Sequence, residues 1–68
     1  MTDKKILWVG AFRFPHALVT RYTYAPTWAA AKTRLLRRIA NEDGVTYRSL
    51  FDMFDGTRQN YTIEREDR

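Results

Sequence analysis

From Lys4 to Phe14 the chain reads KKILWVGAFRF, a run of β-branched and aromatic residues that reads as a strand beginning after Lys4 and Lys5. Alternation places Ile6, Trp8, Phe12 and Phe14 on one face and Leu7, Val9 and Ala11 on the other. A second run, ALVTRYTY, follows a PHA turn, and the pair predicts an antiparallel hairpin. Both faces of the first run are apolar, which predicts a central strand or one that covers a partner's surface. Gly10 within it marks a bulge or a close approach of another element.

The segment APTWAAAKTRLLRRIANEDG predicts a helix over 27–42, started by Pro26 and Thr27, carried by the alanines and stopped at Gly44. At about 100° per residue, Trp28, Leu35, Leu36 and Ile39 share one face with Ala31 at its edge, and Arg34, Arg37 and Arg38 gather opposite. Lys32 falls inside the apolar stripe, so its stem is expected to pack while its ammonium snorkels to the helix edge. In VTYRSLFDMFDGT, Tyr47, Leu50, Phe51 and Phe54 have the spacing of a short helix capped by Thr46 and ended by Gly56. Asp55-Gly56 followed by TRQNYTIE also fits a hairpin. The helix is favoured because Asp52 and Met53 are poor strand formers, and an extra strand over 46–54 stays open. RQNYTIERE then returns as a strand with Tyr61 and Ile63 inward. The expected fold is α+β: a small antiparallel sheet in ββαβ order packed against one long helix, with a short second helix or extra strand at 46–54.

Composition narrows this picture. Sixty-eight residues make a single small domain of marginal stability. The ten aromatic residues permit a core built on Trp8, Phe12, Trp28, Phe51 and Tyr61. Without cysteine there is no disulfide framework and no thiolate metal site, which suits a reducing cytoplasm. No apolar run approaches the roughly 18 residues that span a bilayer, and MTDKKILWVGAF lacks a signal-like cleavage region, so neither membrane nor export is expected. The formal charge of +4 is concentrated between Phe12 and Arg48, where only Glu42 and Asp43 oppose the basic residues. EREDR, from Glu64 to Arg68, alternates in sign and reads as a solvated, frayed tail. A basic middle favours phosphate-bearing or other acidic partners.

Catalytic chemistry finds little to stand on. His16 is the sole histidine and falls in the hairpin turn. DMFDGT, from Asp52 to Thr57, resembles an acidic phosphotransferase motif, but two residues separate the aspartates where that motif has one; a helix end and a turn account for these letters. Tyr22, Thr23, Tyr24 and Thr27 carry hydroxyls without a base, and the glycines are too dispersed to cradle a phosphate. The sequence therefore points to a non-enzymatic binding module with no cofactor and no metal.

IANEDGVTYRSLFDMF, residues 39–54, resembles the helix-turn-helix of TetR-type regulators. Ile39 and Ala40 match the packing of its first helix, Gly44 and Val45 its tight turn, Thr46 the second helix's cap, and Leu50, Phe51 and Phe54 its buried side. The resemblance implies a recognition helix with Tyr47, Arg48 and Ser49 turned toward DNA. A hairpin precedes this segment and a strand follows it, where those regulators have helices. Independently, Arg34, Arg37, Arg38 and Arg48 could follow a phosphate backbone, with Arg13, Arg21, Tyr22 and Tyr24 adding charge and stacking faces from the hairpin. Nucleic acid, DNA first, is thus the leading partner class. The alternative is a protein-binding inhibitor or adaptor, of the kind phage and plasmid genomes encode, that docks through Leu7, Val9 and Ala11 or a sheet edge. The same face would serve a homodimer.

Overall fold

The computed structural model describes residues 6–66; Lys4, Lys5 and residues 67–68 lie outside them. The first two apolar runs form the expected hairpin, β1 (Ile6–Phe14) and β2 (Ala17–Ala25), around Pro15 and His16. Their register is unbroken from Ile6↔Ala25 to Phe14↔Ala17, so Gly10 is not a bulge. α1 (Trp28–Asp43) begins one residue later than predicted because Thr27 is its cap: the Thr27 Oγ1 accepts from the Ala30 N–H at 3.2 Å. It stops at Gly44, whose φ of 72° is left-handed and whose N–H, with that of Val45, donates to the Ala40 carbonyl; a left-handed glycine after the last turn is a common helix stop.

The ambiguous segment is helical. α2 (Tyr47–Met53) is capped by Thr46, whose Oγ1 accepts from the Ser49 N–H at 3.1 Å. It ends at Phe54, before Gly56 is reached. β3 (Tyr61–Arg65) then pairs antiparallel with the free side of β1, giving the strand order β2-β1-β3. The doubly apolar strand is the central one, and the fold is α+β with elements in the order ββααβ. β3 takes Glu64 and Arg65 out of the charge-alternating tail and into the sheet, and the Glu66 N–H donates to the Leu7 carbonyl at 2.8 Å. Among the described residues no helix is long and apolar enough to cross a membrane.

α1 and α2 cover one face of the sheet. Ala31, Leu35, Leu36, Ile39 and Ala40 of α1 are buried with Trp8, Phe12, Ala25 and Ile63 of the sheet and with Leu50 and Phe54. The helix comes close at Gly10: a Cβ there would lie 2.7 Å from Leu35 Cδ1 and 2.8 Å from Phe12 Cε2. Phe54 closes one end of the core, meeting Phe12, Phe14 and Tyr61 edge to face with centroids 5.1, 5.2 and 5.9 Å away, the favoured geometry for ring quadrupoles.

Two expected core residues are not in the core. Trp28 and Phe51 are 43% and 44% exposed, and Tyr61 is half-buried. Trp28 opens α1 at the outer edge of β3, where its indole N–H donates to the Ile63 carbonyl at 3.2 Å. A deeper ring would leave that N–H without its partner. Phe51 follows Leu50, which takes the inward position on α2, and so turns outward beside Lys32.

Gly10→Ala should test the close approach. Overpacking of this kind costs about 1–3 kcal/mol, so the urea midpoint should fall with an unchanged denaturant slope. Wild-type stability would mean that Leu35 and Phe12 can yield.

Candidate binding surfaces

The arginines expected to follow a phosphate backbone divide into two groups. β2 is an edge strand, and the carbonyls of Thr20, Tyr22 and Tyr24 point away from β1. Each receives a guanidinium: Arg21 Nη1 donates to Thr20 O at 2.8 Å, Arg38 Nη1 to Tyr22 O at 3.1 Å, and Arg34 Nη1 to Tyr24 O. Glu42 holds two of the three in place, its carboxylate meeting Arg21 Nε at 2.9 Å and Arg38 Nε at 3.3 Å. Charged side chains laid along an edge strand block the addition of another strand. Arg21, Arg34 and Arg38 are therefore gathered at one site, and their nearest partners are the protein's own backbone and carboxylate.

Arg37 lies elsewhere, its guanidinium over the Tyr47 ring at 5.2 Å. Tyr47 in turn meets Phe51, centroids 5.8 Å apart. Next comes Lys32, whose Nζ stands 5.0 Å from the Phe51 centroid, 4.8 Å from Tyr61 and 5.8 Å from Trp28. These distances are within the range of cation–π attraction. Rings and cations thus form one continuous strip along α1, α2 and β3. Arg48 is exposed at the start of α2, and among the described residues no ion pair of Lys32, Arg37 or Arg48 with a carboxylate is formed. Ser49 is held locally, its hydroxyl accepting from Thr46 Oγ1 at 2.8 Å. Trp28 and Phe51 were legible as apolar residues at helical spacing but not as surface, and Lys32 was legible only as a snorkelling lysine.

The opposite face of the sheet carries no helix. Cross-strand pairing sets Leu7 beside Tyr24, Val9 beside Tyr22, Ala11 beside Thr20 and Arg13 beside Leu18, with Glu64 opposite Val9 and Thr62 opposite Ala11. Leu7, Val9 and Ala11 are half-buried by these neighbours, while Tyr22, Tyr24 and Leu18 are 48%, 55% and 62% exposed. Arg13 therefore lies across the sheet from Arg21, Arg34 and Arg38, and it borders an open groove with Arg58, Met53 and Asn60. His16 borders an open groove of about 510 Å³ with Phe14, Pro15, Val45, Leu50 and Met53.

Glu42 supplies a pH dependence. Hydrogen bonding from Arg21 lowers its pKa; desolvation, the next largest effect, opposes this, and the charge of Arg21 and the contacts of Arg38 lower it further. A carboxylate with a depressed folded-state pKa adds stability above the ordinary glutamate range, and that stability is lost as pH falls through the lowered value. Acid titration of Glu42→Gln should lack this part of the wild-type stability loss; superimposable curves would show the pair to be energetically silent.

Neither the protein-family models, nor the curated proteins, nor the solved structures contain a match to this chain.

Proposed function

We propose that this chain is a small, non-enzymatic nucleic-acid-binding module that works through the α1–α2 surface. The observation that carries the reading is the sorting of its cations. Arg21, Arg34 and Arg38 are engaged with the β2 edge and Glu42, whereas Lys32 and Arg37 are interleaved with aromatic rings and Arg48 stands beside them. Cations attract the phosphate backbone, and exposed rings offer faces on which bases stack. The helix, the turn at 44–46 and the second helix keep DNA groove reading by Arg48 and Ser49 within this proposal. The Tyr47 ring, under Arg37, supports a stacking role better than a groove contact.

A second reading rests on the uncovered sheet face. Tyr22, Tyr24 and Leu18 surround Leu7, Val9 and Ala11, and among the described residues the strand pairings bring Arg13 and Glu64 there, with Glu66 bonded beside Leu7. An apolar, tyrosine-bearing centre with few charges has the anatomy of a protein interface. It would serve an inhibitor or adaptor, or the same face of a second copy.

One set of variants separates these readings. Arg37→Glu with Arg48→Glu should weaken retention of labelled DNA or RNA at low salt, and the wild-type affinity should fall linearly in log–log form with added salt. Tyr22→Ser with Tyr24→Ser should leave that binding intact. Loss of nucleic-acid binding in the tyrosine pair alone, or no retention by the wild type, would remove the first reading. A single protein recovered stoichiometrically through the tyrosine face, or a concentration-dependent dimer in sedimentation, would establish the second.

A further inference from the structure

We infer that Trp28, Lys32, Phe51 and Tyr61 form a cup that binds one nucleotide of a single strand, phosphate on the Lys32 ammonium and base against an exposed ring. The inference rests on the nucleic-acid reading and names its substrate class and contact site.

Lys32 is unusual for a lysine in being only 9% exposed. Its stem is buried in the apolar stripe of α1, and its Nζ is surrounded by rings from three elements: Trp28 of α1, Phe51 of α2 and Tyr61 of β3. Ring faces attract the charge but do not accept its three N–H donors as an oxygen would. Among the described residues the ammonium has no hydrogen-bond acceptor, and Asn60 Oδ1 is the sole side-chain polar atom both sealed from solvent and unpartnered. The Lys32 ammonium therefore keeps its contact with water. The cup is a cation with open donors, walled by rings of which two are more than two-fifths exposed.

An anionic oxygen attached to something flat and apolar satisfies all of these groups at once. A nucleotide fits, and a polynucleotide fits the continuation: from Lys32 the strip passes to Phe51, Tyr47 and Arg37, so two ring faces for bases lie between two cations for phosphates. In a duplex both faces of each base are already stacked, which leaves the rings nothing to hold. Trp28 is steadied by its bond to the Ile63 carbonyl, so its ring is set before a ligand arrives. An acidic peptide shares the anionic oxygen but lacks the repeating flat ring.

The test uses the full chain with three labelled probes: a short oligothymidylate, a duplex of equal length and an oligoglutamate peptide. Oligothymidylate should bind in preference to the other two and should quench tryptophan fluorescence. Trp28→Phe, which keeps a stacking ring and leaves only the buried Trp8 to report, should abolish that quenching. Lys32→Met, which keeps the stem's packing, and Phe51→Ala should each weaken oligothymidylate binding roughly tenfold or more. Lys32→Met should also lower the salt slope by about 0.7. An unchanged near-ultraviolet circular dichroism spectrum shows that each variant is folded; if Lys32→Met is not, Phe51→Ala and the Trp28→Phe quenching decide. Wild-type affinity in folded Lys32→Met or Phe51→Ala overturns the site. Duplex binding that is lost only with Arg37 and Arg48 also overturns it and leaves the nucleic-acid reading in place. Silence of every nucleic acid removes both, and equal binding of oligoglutamate with the same loss in Lys32→Met overturns the nucleotide assignment.

Discussion

The contact of Leu35 with the bare backbone at Gly10 sets the height of α1 above the sheet, and the other surfaces are arranged around that height. A helix seated this low on the middle strand overhangs both neighbours. On one side Arg34 and Arg38 come within reach of the β2 carbonyls; on the other, Trp28 reaches the β3 carbonyl of Ile63. One close approach thus lets a single helix cover the core and attend to both edges of a three-stranded sheet. Lifting the helix by a methyl group would strain the core and loosen the edge contacts together.

The same arrangement explains why the net charge is a poor guide to the proposed binding surface. Guanidinium groups bond well to carbonyl and carboxylate oxygens, and the nine-residue edge strand β2 presents a row of the former. Arg21, Arg34 and Arg38 act there as fasteners between helix and sheet, and Glu42 ties two of them together. What remains for a partner is smaller in charge and richer in rings.

The elements were largely legible in the letters. Thr27, Gly44 and Thr46 mark helix ends because their side chains or backbone freedom satisfy end groups that no other part of the helix can, and the double-faced apolar pattern of β1 announced a central strand. The direction of particular side chains was not legible. Trp28 and Phe51 sit at helical spacings that normally mean burial, yet β3 ends the sheet beneath Trp28 and Leu50 takes the inward position next to Phe51. The fate of the arginines depended on which carbonyls of β2 faced outward, a matter of pairing register that composition and periodicity do not carry. Lys32 showed as an exception to its stripe, but its three ring partners come from separate stretches of chain.

That last fact bears on folding as well as binding. The hairpin and the two helices can form from neighbouring residues, whereas β3 reaches β1 only across most of the chain, with Trp8 opposite Arg65. Closing so long a loop carries an entropic cost that must be met before its contacts reward it, and such pairings tend to form slowly. Tyr61 belongs to that strand, so the wall it contributes is absent from any species in which the hairpin and helices have formed alone. The completed sheet and the completed cup are one event, and a ligand that requires all three rings discriminates the finished molecule from its partly assembled forms.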